Sequence, residues 1–173
     1  GMHLNIEIKA RCAQQDKIRK LLQERGADFR GTDHQIDTYF EVPNGRLKLR
    51  QGTIEKNLIH YLRPDQAGPK ASEVHLYSTP KDEELKVLLK AALSVKVVVD
   101  KQREIYFIDN VKFHLDQVAQ LGTFVEIEAI DSDGSIGRER LKEQCDHYLQ
   151  LFDIQATDLL DNSYSDMLLE LQQ

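Results

Sequence analysis

From His3 to Arg11 the chain alternates. Leu4, Ile6 and Ile8 fall on one face, and Asn5, Glu7, Lys9 and Arg11 on the other. A period of two predicts a strand with one apolar and one polar face. The period then lengthens. Ile18, Leu21 and Leu22 predict a helix over about 14–25, and Gly26 is placed to end it at C′. Strand patterns return at 36–42, at 46–50, where Leu47 and Leu49 oppose Arg46, Lys48 and Arg50, and at 58–63 and 73–78. A turn at 43–45 and a Pro/Gly-containing loop at 64–70 join them.

Thr79 and Pro80 look like the N-cap and first residue of a second helix, with Asp82, Glu83 and Glu84 in a turn where the helix dipole favours acids. Its buried face is Leu85, Leu88, Leu89 and Ala92. Four more strands are expected at 95–103, 104–108, 112–116 and 123–130, with Asp109-Asn110 as a hairpin turn. Residues 135–152 read as a helix, and a last helical segment starts at Thr157.

A length of 173 residues fits a single domain over 1–173, with 153–173 as a C-terminal helical piece. Apolar residues make up 40% and charged residues 30%, an ordinary globular balance. No apolar run approaches the roughly 18 residues of a membrane span. No signal-peptide core follows the start, where Gly1 before Met2 reads as a tag scar. A cytoplasmic protein is therefore expected. The net charge of −6 argues against a nucleic-acid surface. Cys12 and Cys145 have no metal-ligand spacing and read as free thiols.

The polar strand faces carry charges sorted by sign. Lys48, Arg50, Lys101 and Arg103 are basic, Asp116, Glu126 and Glu128 acidic, and Glu7 and Lys9 mixed. Alternation alone leaves two arrangements open, a sheet showing charge to water or a barrel turning it inward. The helices add a constraint, because their apolar stripes need a sheet face to cover. If they cover the outside of a closed sheet, the charges must point in. Such an interior calls for a compensating ligand. Guanidinium groups pair with phosphate, and converging carboxylates suit Mg²⁺ or Mn²⁺. A lipocalin-like carrier would instead need an apolar interior.

Asn5-Ile6-Glu7-Ile8-Lys9 resembles the ExExK motif of the CYTH superfamily, the triphosphate tunnel metalloenzymes. The likeness continues in order through 37–40, 47–50, 61–64, 101–103, 114–116, 121–122, 126–128 and 163–164. It implies an α+β protein, a closed eight-stranded antiparallel β-barrel flanked by helices. By the same resemblance Glu7, Glu126 and Glu128 would be catalytic and hold Mg²⁺ or Mn²⁺, with Asp116 either a further ligand or an acid standing behind the ligands. Lys9, Lys48, Arg50, Arg63, Lys101 and Arg103 would bind the substrate phosphates. Asn5 departs from the motif's first acid, which weakens or removes one metal position, and Lys48 stands where many members have Arg.

The implied activity is hydrolysis of tripolyphosphate, thiamine triphosphate or a nucleotide. The alternatives are class IV adenylyl cyclisation of ATP and a non-catalytic polyphosphate or nucleotide module. The expected partner is a small-molecule triphosphate, with no nucleic acid or membrane, and a homodimer is left open. His114 shares the strand face of Asp116 and is a candidate proton carrier, although a structural histidine is the commoner case. Tyr164 resembles a family tyrosine near the C-terminus, where a last helix can close the tunnel. Periodicity alone places it in the core.

Overall fold

The computed structural model describes residues 2–62 and 68–173. Eight strands form a closed barrel: β1 (Met2–Arg11), β2 (Asp28–Phe40), β3 (Arg46–Gly52), β4 (Lys56–Leu62), β5 (Lys70–Ser78), β6 (Val95–Ile108), β7 (Val111–Val118) and β8 (Gly122–Asp131). Around the ring the order is β1-β5-β4-β3-β2-β6-β7-β8, and pairing of β1 with β8 closes it. All neighbours are antiparallel. The helices are α1 (Gln15–Glu24), α2 (Glu83–Ala92), α3 (Arg138–Leu151) and α4 (Tyr164–Leu171), with a 3₁₀ turn at Ala156–Asp158.

The helices decide which way the charges face. Ile18 and Leu22 of α1 and Leu141 and Cys145 of α3 pack on Ile6, Ile8, Phe113, Leu115, Val125 and Ile127. These are the apolar phases of β1, β7 and β8, so those phases form the barrel's outside there. On the far side Leu89 of α2 packs with Phe40 and Leu49. The opposite phases turn inward, as the need to cover the helix stripes requires.

Several expectations are corrected. β2 begins at Asp28, well before residue 36. Residues 28–35 are polar apart from Phe29 and carry no apolar alternation; pairing with the long β6 makes them a strand. β6 is one strand of 14 residues, not two. α2 has Asp82 at its N-cap and begins at Glu83. Thr79 lies three residues ahead of that N-cap, and its N–H donates to the Lys56 carbonyl at 3.0 Å, which prolongs the β4–β5 ladder. The last helix starts at Tyr164, not Thr157, since Ser163 and Asp166 form a capping box there. The interior also departs from expectation over part of its length. Tyr39, Ile59, Val97, Val99, Val118 and Phe124 make an apolar inner cluster, on which Tyr164, Met167 and Leu168 of α4 pack. No helix among the described residues is long and apolar enough to cross a membrane.

Candidate functional site

The inward phases enclose a cavity of about 120 Å³. A water needs roughly 10–15 Å³ of such volume, so the cavity is large enough to be wet. Lys9, Lys48, Arg50, Lys101, Arg103 and Lys112 line it together with Glu7, Glu55, Glu126 and Glu128. The register explains the grouping. Glu7 is the direct partner of Glu128, and Lys9 of Glu126, across β1–β8. On the other side of β8, Glu128 faces Lys112 and Glu126 faces His114.

Two buried carboxylates hold the cations in place. Asp37, fully buried, accepts Arg50 Nε and Nη2 at 2.9 Å each and Lys101 Nζ at 2.7 Å, with Lys48 Nζ 3.7 Å away. Burial works to raise its carboxyl pKa, but the Arg50, Lys101 and Lys48 charges outweigh that and hold it well below the usual range. Asp116, also fully buried, takes the Arg103 fork at 2.8 Å on both oxygens and accepts the Tyr164 hydroxyl at 2.8 Å. Bidentate pairs of this kind fix a guanidinium in direction as well as position.

Cations nonetheless crowd the cavity. Burial lowers the Lys101 pKa, and although Asp37 opposes this, Arg103, Arg50 and Lys48 add to it; the result is about 7 instead of 10.5. Burial and the Arg103 charge likewise push the His114 pKa down, against an opposing pull from Glu126. His114 Nε2, Asn5 Oδ1 and Ser72 Oγ are buried without a hydrogen-bond partner among the described residues, and His114 Nδ1 has only Glu126 Oε1 at 3.5 Å. His114, Asn5 and Ser72 all line the cavity, so water or a ligand must satisfy those atoms.

Of the residues the sequence singled out, Glu7, Lys9, Lys48, Arg50, Lys101, Arg103, Glu126 and Glu128 converge on this one cavity. Asp116 does not line it: Arg103 is its direct cross-strand neighbour and claims both its oxygens. Arg63 lies outside the described residues. Glu126 contacts Arg103 Nη2, and no group of three or more His, Cys, Asp or Glu side chains among the described residues is gathered closely enough to hold a metal ion. Lys112 begins the strand expected at 112–116 but is outside the set that the resemblance assigns to phosphate. Glu55 and the tyrosines Tyr39 and Tyr61, which stand 5.4 and 5.3 Å below Lys48 Nζ, were missed. Glu55 sits on a turn, where no alternation reveals its direction. Tyr39 falls in phase with Asp37, a signal that could have placed it inside.

The geometry agrees with the comparisons. PH1012 of Pyrococcus horikoshii superposes with a TM-score of 0.75 at 27% identity, over 94% of this chain and 98% of its own. A candidate adenylate cyclase of Vibrio parahaemolyticus gives 0.79 at 20% identity, over 95% and 97%. HpAC1 of Hippeastrum, a candidate adenylyl cyclase described by its dominant triphosphatase activity, gives 0.60 at 12%, over 98% and 95%. At those two lower identities the likeness concerns the fold alone. A comparison with curated proteins finds no match. The family model for the CYTH domain matches residues 3–157, which takes in all eight strands, and the chain therefore belongs to the CYTH family.

Proposed function

We propose that the protein binds a small-molecule triphosphate in the barrel, together with Mg²⁺ or Mn²⁺, and hydrolyses it. One observation carries the reading: Lys9, Lys48, Arg50, Lys101, Arg103 and Lys112 converge inside a closed barrel, crowded enough to bring Lys101 to about 7. A polyanion relieves that crowding, and fixed cations aimed at phosphate oxygens also stabilise the charge of a transferring phosphoryl group. In this reading α4 stops one end of the tunnel, since Ser163 and Tyr164 line it. The HpAC1 description fits the same chemistry.

Glu7, Glu128 and the Asn5 carbonyl offer hard oxygen donors on neighbouring inward positions of β1 and β8. They fit Mg²⁺, which takes one or two carboxylates and completes its shell with water and substrate phosphates instead of a protein cage. When bound, such an ion neutralises phosphate charge and activates water. Asn5 contributes no charge to it.

The test is a panel of tripolyphosphate, thiamine triphosphate, ATP and GTP with Mg²⁺, Mn²⁺ or EDTA, following phosphate and cyclic AMP. Phosphate release that EDTA abolishes is expected. Cyclic AMP with pyrophosphate would instead mark a cyclase. Binding without turnover would mark a non-catalytic module, and no calorimetric uptake of any triphosphate would end the proposal.

A further inference from the structure

The β3–β4 turn, residues 53–55, pushes a carboxylate into the cavity at Lys112, four residues along β7 from Asp116, where Tyr164 docks. The turn is firmly built. Asp33, fully buried, accepts Thr53 Oγ1 at 2.9 Å, the Ile54 N–H at 2.8 Å, the Glu55 N–H at 2.9 Å and Gln35 Nε2 at 2.8 Å. A Cβ on Gly52 would come within 2.4 Å of the Glu55 carbonyl oxygen and 2.7 Å of Asp33 Oδ1, so the chain passes too closely for a side chain there. Glu55 Oε1 then accepts Gln35 Nε2 at 3.1 Å and Arg50 Nη1 at 3.4 Å, and Oε2 contacts Lys112 Nζ. Since β2 and β6 separate β3 from β7, one carboxylate bridges two distant parts of the wall.

We infer that Glu55 is the site's own competing anion. It takes the place at Arg50 and Lys112 that a phosphate oxygen of the ligand takes, so binding exchanges one anion for another. This deepens the triphosphate reading above and rests on it. A phosphate end carries more charge than a carboxylate and matches the guanidinium fork, so a polyphosphate wins the exchange. The carboxylate lowers affinity in return, and it recovers both cations when the anion leaves. Glu55 is thus a determinant of how tightly the site holds phosphate, distinct from the groups that bind it.

Calorimetric titration of tripolyphosphate into wild type and Glu55→Gln, once with Mg²⁺ and once with EDTA, tests this. The variant is expected to bind at least about tenfold tighter in both arms, because removing a close like charge has effects of that order or larger. Its ligand-free melting temperature should fall, since Arg50 and Lys112 lose a counter-charge, while the rise on adding tripolyphosphate should grow. If Glu55→Gln does not fold, Glu55→Asp keeps the backbone bonds to Asp33 but draws the carboxylate back from Lys112, and it too should bind more tightly than wild type. Equal or weaker binding overturns the inference; weakening confined to the Mg²⁺ arm overturns it in favour of a metal ligand. A wild type that binds tripolyphosphate beside a variant that binds no tighter sinks this inference alone. A wild type that binds none sinks the triphosphate reading and this inference with it.

Discussion

Two carboxylates that look alike in the sequence have opposite roles in the barrel. Asp116 and Glu128 both fall on charged inward phases, yet Asp116 is fully buried beneath Arg103 and Tyr164, while Glu128 lines the cavity. Removing one member of a buried ion pair leaves the other charge uncompensated. Asp116→Ala should therefore cost on the order of 3 kcal/mol in denaturant unfolding. Glu128→Gln should cost clearly less stability than that, because Glu128 is only partly buried and no ion pair among the described residues claims both its oxygens. It should also weaken metal-dependent triphosphate uptake, because it removes a cavity oxygen charge beside Glu7. The reverse pattern would mean that the two assignments are interchanged. Strand phase tells which face a side chain takes; it does not tell which neighbour claims its oxygens. That is why the sequence left Asp116 open between a metal ligand and a supporting acid, and the fold pairs it with Arg103.

Lys101 carries the second residue-scale prediction. Its pKa in the folded protein is about 7, below the ordinary 10.5. Between those values the unfolded chain holds the proton more firmly than the native one, so this group's contribution to stability rises with pH across that window. Below about pH 7 the native state carries the charge and its full desolvation cost. A bound polyanion pulls the pKa back up. Triphosphate binding at pH 8 should therefore take up a proton, seen as a heat of binding that varies with the ionisation enthalpy of the buffer. The uptake should vanish in Lys101→Met. Buffer-independent heats in wild type would contradict it.

At the scale of elements, α4 is fastened from two directions. Ser163 and Asp166 cap it reciprocally, and Arg46 of β3 donates to both Asp166 oxygens at 3.1 and 2.8 Å and to Ser163 Oγ at 2.8 Å. Asp166→Ala removes the cap partner and the Arg46 contact together. It should cost about 1–2 kcal/mol and raise amide exchange over 163–171 more than in the barrel strands. Unchanged exchange there would mean that apolar packing of Met167 and Leu168 alone holds the helix. Strands with strict alternation, such as β1, β3 and β7, were legible because one period served both faces. β2 was only partly so: its first residues become a strand through their partner β6, a long-range pairing that local pattern does not encode. The α2 start was misplaced for a related reason, since Thr79 continues the β4–β5 pairing through its N–H to Lys56 and the helix begins only at Glu83.

For the molecule as a whole, the net charge of −6 does not conflict with the proposed polyanion site, because a closed barrel keeps its inward cations apart from the outer surface. Inside, low dielectric strengthens every charge interaction, so crowded cations weigh on the ligand-free fold, and the proposed polyanion would relieve them. A ligand that binds only the native state stabilises it by about 2.7 kcal/mol at a hundred times its Kd. For a chain of this length each kcal/mol moves Tm by roughly 2–4 °C. Saturating tripolyphosphate should then raise Tm by roughly 5–11 °C. Part of that rise should persist in EDTA, because Lys and Arg contacts need no metal. Added Mg²⁺ should increase it further through Glu7 and Glu128. Sulfate at equal ionic strength should give a much smaller shift, since a single tetrahedral anion carries less charge and offers fewer oxygens to the lining cations. An equal response to sulfate would reduce the tunnel to a nonspecific anion sink.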